Sequence, residues 1–280
     1  MNTAIVILAV LGTALAASIE QAEFPANRRM EIDPIRPIEE SEHPNLQIIN
    51  GHEVPAHSIP YQVYLIGKSS QQSWSCGGSL ITRNYVLTAA HCVDGASSIQ
   101  VTLGAHNLRV ATSGRISVNA KSWKQHEEYN SRTIDNDVAV IRLPSPITLS
   151  STINLSPLPN FSEVAYDLDG LSGRVSGWGL TGSGKGSDVL LAVNNTVISN
   201  TQCNSYYGVV KSREICLSGA GRKTACSGDS GGPMIIGNKQ YGIVSYGARD
   251  CPSGYPGVYA RVDRFLDWIE NNSDWRPRQI

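Results

Sequence analysis

The run Cys226-Ser227-Gly228-Asp229-Ser230-Gly231-Gly232-Pro233 sets the hydroxyl of Ser230 among residues too small to hide it. A serine alcohol is a weak nucleophile at neutral pH. It attacks a carbonyl only when a base removes its proton and nearby donors hold the oxyanion that forms. Gly228 reaches backbone angles closed to other residues, so its N–H and that of Ser230 can aim at one point as an oxyanion hole. A Gly/Ser-rich run is ordinarily just a loop, so the reading depends on finding a base and a partner for it elsewhere.

Thr88-Ala89-Ala90-His91-Cys92 offers the base, a histidine just after a strand-like run and flanked by small residues. An imidazole, with an ordinary pKa near ~6.5, can take and return a proton at neutral pH. Structural histidines are the commoner kind, and a histidine base also needs an acceptor behind it to fix its tautomer and stabilise the imidazolium. Asp137, in Asp135-Asn136-Asp137-Val138-Ala139-Val140-Ile141, opens an apolar strand, where a carboxylate can be buried and still reach another element. Most aspartates in such a context are turn residues.

These three residues are far apart in sequence, so a folded scaffold must bring them together. The text from Ile48 onward is a series of short β-branched or aromatic runs separated by Gly, Ser, Asn or Pro, among them 61–66, 85–88, 99–103, 115–120, 137–143, 173–178, 189–198, 233–236, 241–245 and 257–261. That spacing predicts barrels or sandwiches. Pro144, Pro146, Pro157 and Pro159 place a boundary between two halves near 144–169. Helix is scarce: Val262, Phe265, Leu266 and Ile269 share one face, and this terminal helix is expected to dock onto the last barrel.

With 280 residues the chain can bury a sizeable core, and a net charge of −1 offers nothing to nucleic acid or acidic lipid. Residues 1–16 are apolar from Ala4 to Leu11 and end in Ala14-Leu15-Ala16, a signal peptide lacking Lys or Arg at its start. The run is too short to span a membrane, which needs ~20 residues. Secretion is therefore expected, and six cysteines without C-x-x-C or H-E-x-x-H spacing favour disulfides over a metal cluster. Sequons stand at Asn154, Asn160, Asn194 and Asn271. Residues 17–47, rich in Glu, Pro and Arg without periodicity, read as a pro-segment, leaving 48–280 as the catalytic domain.

Taken in order, Ile48-Ile49-Asn50-Gly51, Cys76-Gly77-Gly78-Ser79-Leu80, the histidine pentapeptide, Asp137-Val138-Ala139, Ser176-Gly177-Trp178-Gly179 and the serine octapeptide resemble the chymotrypsin-like serine proteases. The wording is nearest to the arthropod chymotrypsin and collagenase-like members. The resemblance runs from Ile48 to about Asn271 and implies an all-β fold, two packed six-stranded antiparallel β-barrels with the active site between them and a C-terminal helix. It implies His91 as general base and acid, Asp137 as its orienter, Ser230 as nucleophile, and Gly228 with Ser230 as oxyanion donors. Ser245 would lie near Asp137 and line the cleft. The cysteines would pair Cys76 with Cys92, Cys203 with Cys216 and Cys226 with Cys251, leaving none to tether the pro-segment. A new amine at Ile48 would pair with Asp229, ordering the oxyanion loop.

The chain departs from the pattern of that family at three places that matter. Ala105 stands where an acidic calcium ligand is common, so no metal is expected, and no cofactor is implied. Thr224 takes the pocket-base position where trypsins carry aspartate, with Gly247 and Gly257 at the walls and Tyr246 as an aromatic lining. The expectation is cleavage after large apolar or aromatic residues, with Asp250 near the rim as a possible attraction for basic ones. Gln47 precedes Ile48 in place of the usual Arg or Lys, so an activating protease other than trypsin is implied. Expected partners are protein or peptide substrates, that activator and protein protease inhibitors, with the enzyme a monomer. A narrow-specificity regulatory protease and a silent homologue serving as a binding module are the alternatives.

Overall fold

The computed structural model describes residues 51–277, except 165, 182–184, 223, 250 and 253, together with 32–34 and 222 as backbone alone. The expected leader over 1–16, the rest of the expected pro-segment, Ile48 and Asp250 lie outside the described residues. In chain order the strands are β1 (Ile32–Pro34), β2 (His52–Glu53), β3 (Gln62–Lys68), β4 (Ser73–Leu80), β5 (Tyr85–Thr88), β6 (Ser98–Leu103), β7 (Ile116–Asn119) and β8 (Ser122–Gln125). They continue with β9 (Ala139–Arg142), β10 (Ser172–Gly177), β11 (Leu191–Ile198), β12 (Glu214–Gly219), β13 (Pro233–Ile236), β14 (Lys239–Ala248) and β15 (Gly254–Arg261). Two α-helices are described, α1 (Asn200–Tyr207) and α2 (Leu266–Asn272).

The first sheet runs β7-β6-β3-β4-β5-β9-β8, every pair antiparallel. Its outermost strands are consecutive pieces of one run. At the break, Ala120 N–H bonds to Ile99 O at 2.8 Å and Lys121 N–H to Arg142 O at 2.8 Å, so the ladder passes from one edge of the sheet to the other and the sheet curls shut. The second sheet runs β14-β13-β10-β11-β12-β15, and β15 pairs back onto β14 to close a six-stranded barrel. Closure leaves few edges to be managed, and alternating side chains fill the interiors. Val63, Leu65, Leu80, Val101 and Val140 fill the first; Val175, Val193, Leu217, Met234 and Tyr259 fill the second.

Three elements contradict or extend the reading from pattern. β4, Ser73–Leu80, was expected to be strand nowhere, because its Ser/Gly text has no apolar alternation. Its glycines are set by close approach: a Cβ on Gly77 would meet Gly232 Cα at 2.9 Å, and one on Gly78 would meet Val86 Cγ1 at 2.8 Å. Helix α1 also escaped notice, since Asn-Thr-Gln-Cys-Asn-Ser-Tyr-Tyr has no apolar stripe; it is fixed instead by Ser199, whose hydroxyl accepts from Gln202 N–H, and by Gly208 at φ 72° as C-cap. The terminal helix exists, as a 3-10 turn over Val262–Arg264 followed by α2, but it does not dock where expected. Phe265, Leu266, Ile269 and Trp275 join the apolar cluster of the first barrel, with Val63, Leu65, Val86 and Val140. His126, just past β8, stacks on Trp268 at 5.3 Å, and Trp268 Nε1 donates to Glu127 Oε2 at 2.7 Å. Periodicity shows which helix face is buried and says nothing of the surface that buries it.

The opposite crossing holds at the other end. β2, at the start of the first half, pairs with β11 of the second barrel, and Val54 N–H bonds to Leu190 O at 3.2 Å. Each half thus lends an end segment to the other.

Candidate active site

Strands β5 and β9 pair with Thr88 opposite Ala139. His91 follows Thr88 by three positions and Asp137 precedes Ala139 by two, so one strand pairing delivers both to the same end of the barrel. His91 sits in the 3-10 turn Ala90–Cys92, which the Cys76–Cys92 disulfide ties to β4. Asp137 follows two residues in the left-handed region, Ile134 at φ 58° and Asn136 at φ 55°, a tight approach that turns its carboxylate inward.

The buried Asp137 carboxylate is fully engaged. Oδ1 accepts from the His91 backbone N–H at 2.9 Å, and Oδ2 accepts from His91 Nδ1 at 2.8 Å and from Ser245 Oγ at 2.6 Å. Burial raises the carboxyl's pKa, but His91 beside it and the hydrogen bonds from His91 and Ser245 more than offset this, holding Asp137 below its ordinary value. An ionised carboxylate only accepts, so Nδ1 must carry the proton and the neutral ring keeps its lone pair on Nε2. Nε2 is buried and has no hydrogen-bond partner among the described residues, an acceptor held ready.

The serine loop is pinned from several sides. Gly228 takes φ 92° and Gly231 φ 76°. Gly77 N–H bonds to Ser230 O at 2.6 Å, Gly231 N–H to Val244 O at 2.8 Å, and Val244 N–H to Gly232 O at 2.9 Å. A Cβ on Gly231 would fall 2.1 Å from Thr88 Oγ1, so the loop lies directly against the end of β5 that leads to His91. Thr88 is a support that sequence reading missed; its Oγ1 donates to Gly77 O at 2.8 Å. The Cys226–Cys251 disulfide closes the loop's base, and Cys203–Cys216 joins α1 to β12.

Asp229, beside Ser230, is wholly buried. Its oxygens accept from Gly179 N–H at 2.9 Å and Cys226 N–H at 3.1 Å. Gly177 and Gly179 approach so closely that a Cβ on either would lie 2.2 or 2.5 Å from the Asp229 carboxyl group. Burial pushes the Asp229 carboxyl up to about 7, and the two backbone bonds only partly counter it. Gly179 had been noticed as part of a motif, yet its role as a donor to Asp229 shows only in three dimensions.

Thr224 is buried, and a Cβ on Gly257 would stand 3.3 Å from its Oγ1 and 2.9 Å from Tyr259 Oη, so these positions adjoin. Gly247 is half-buried. The Tyr246 ring is sunk in a cluster with Ile134, Tyr207 and Val258, edge-on to Tyr207 at 6.0 Å. Glu214, unnoticed in the sequence, is largely buried near Asp135 and Lys211; burial raises its carboxyl to about 7 despite the bond from Lys211 N–H at 2.6 Å. Cys76, Cys92 and His91 bring potential ligand atoms within 4.8 Å of one another, but both sulfurs are spent in the disulfide and Nδ1 on Asp137. Ala105, whose methyl group has no ligand atom for a cation, packs into an apolar cluster with Val54, Ile59 and Trp178.

Comparison with known proteins agrees with this architecture. The sequence model of the family described as Trypsin matches residues 48–269. A protein named chymotrypsin from Phaedon cochleariae is 49% identical over 279 residues, covering 99% of this chain and 100% of its own. Brachyurin from Leptuca pugilator is 42% identical over 82% of this chain and 100% of its own, and a trypsin from Xenopus laevis is 38% identical over 80% and 90%. A family match over most of the chain, on two β-barrels held with three disulfides, leaves one assignment: the chain belongs to the trypsin family and is a serine endopeptidase, a hydrolase acting on proteins.

Proposed function

We propose that the protein is a secreted zymogen whose mature form cleaves after large apolar or aromatic residues, with His91, Asp137 and Ser230 as its catalytic triad. The observation that carries this reading is the Asp137 carboxylate clasping both the backbone and Nδ1 of His91, which leaves Nε2 without a partner among the described residues and open to accept a proton. Ser230 Oγ attacks the substrate carbonyl as Nε2 takes its proton, and the N–H groups of Gly228 and Ser230 receive the oxyanion. His91 then returns the proton to the departing amine, leaving an acyl ester on Ser230. Water, deprotonated by His91, hydrolyses the ester and restores the enzyme. Fluorophosphonate labelling of Ser230 after activation tests the assignment; a cleaved protein that refuses the label would sink it.

The specificity reading rests on Thr224 beside Gly257 and Tyr259, which puts an uncharged side chain at the expected pocket base. Apolar burial contributes about 0.8 kcal/mol per CH₂, whereas a cation there would lack a partner. Secretion draws on the leader at 1–16 and the three disulfides; among the described residues no helix is long and apolar enough to cross a membrane. Activation would free the amine of Ile48 to pair with Asp229, through a protease that accepts Gln47. Protein protease inhibitors are natural partners for the cleft of a monomeric enzyme.

A further inference from the structure

The pro-segment contributes one element to the fold. β1 pairs antiparallel with the end of β14, Ile32 opposite Ala248, Asp33 opposite Gly247 and Pro34 opposite Tyr246. On its other side Tyr246 pairs with Val258 of β15, so β1 lies on the edge opposite β15. That is the edge the serine loop occupies two residues earlier, where Gly231 and Gly232 exchange hydrogen bonds with Val244. Beyond the serine loop this edge has no neighbour in the barrel, because β13 ends its pairing at Pro233 opposite Ile243. An open edge of this kind takes up an extended peptide by strand addition.

We propose that residues 32–34 form an autoinhibitory strand that fills the peptide-binding edge of the cleft in the uncut chain. This rests on the protease reading given above. The sequence prepares the segment for that use. Proline fixes φ at Pro34, and the residue before it, Asp33, is driven toward extended backbone, so little entropy is lost on pairing. Pro34 lacks an N–H and is tolerated only at the edge of a sheet, which is where β1 lies. Gly247 presents no side chain to hold a strand off. Ser230, Ser245 and Tyr246 are all buried in this state of the chain.

Three paired residues bind weakly, and the linkage makes that enough. A tethered segment faces its site at an effective concentration on the order of 1 mM. Cleavage before Ile48 cuts the tether, and since the six cysteines pair among themselves, none holds the pro-segment. The strand then leaves by dilution.

The test uses the mature enzyme beginning at Ile48 with a synthetic peptide of residues 29–39. The peptide is expected to raise KM for a peptide substrate without lowering kcat, with an inhibition constant of about 0.1–1 mM. N-methylation at both Ile32 and Asp33, adjacent residues of which one points its N–H at β14, is expected to weaken inhibition about tenfold. An unchanged KM, or equal inhibition by both peptides, overturns the proposal. An enzyme that neither turns over substrate nor takes a fluorophosphonate fails the protease reading instead. A second arm needs no activity: in the full chain carrying Ser230→Ala, adding Ile32→Pro and Asp33→Pro should speed amide exchange at 246–248 about tenfold, and unchanged exchange overturns the strand.

Discussion

His91 and Asp137 are committed to each other through two hydrogen bonds, so Ser230 and His91 should act as one unit. Ser230→Ala or His91→Ala is expected to lower kcat on the order of a million-fold, with the double variant no slower than either; pre-steady-state kinetics on a chromogenic peptide checks this. Asp229 makes a different prediction, about the uncut chain. Its folded carboxyl titrates near 7 against an ordinary 3.8, so between those pH values the folded state holds a proton that the unfolded state has lost. Stability therefore falls as pH rises through that window, by on the order of 4 kcal/mol from this group. Asp229→Asn should flatten that slope in thermal melts and stabilise the uncut chain at pH 8, less about 1 kcal/mol for one backbone bond an amide cannot accept. The same change should leave the cut protein inactive, because the Ile48 amine would have no carboxylate to meet. For the pocket, Thr224→Asp is expected to raise kcat/KM for Arg substrates by about tenfold or more, the worth of one charged hydrogen bond.

At the scale of elements, β4 and the serine loop meet backbone against backbone. Gly77→Ala would press a methyl group to 2.9 Å from Gly232 Cα, and displacement of one backbone from the other should cost about 1–3 kcal/mol, read as a lowered Tm and a lowered kcat. The same joint shows why part of the fold was illegible in sequence. Strands such as β5 and β13 announced themselves because their own side chains fill a core. β4 did not, because it is shaped by what its neighbours need in passing so close. The proposed triad could be read from sequence for the opposite reason: the chemistry it is proposed to perform constrains residue type at His91, Asp137 and Ser230, and the flanking small residues are spelled out in order. Thr88 and Gly179 act through contacts between separate segments, which no local pattern records. The destination of α2 was misread on the same ground.

At the scale of the molecule, the activation prediction joins the pro-segment to the cleft. Trypsin can cut after Arg29, but residues 30–47 would stay attached, carrying β1 with them. Incubation with trypsin should therefore trim the chain without raising activity, and N-terminal sequencing of the active form should begin at Ile48. The crossing of α2 to the first barrel has a bearing on how the molecule is made. A ribosome delivers the first barrel early, yet Phe265, Leu266, Ile269 and Trp275, which complete its core, emerge last. Until translation ends, that barrel lacks the residues that cover this flank of its core. A nascent chain stopped short of Val262 would carry His91, Asp137 and Ser230 on a first barrel whose core is still open on one side.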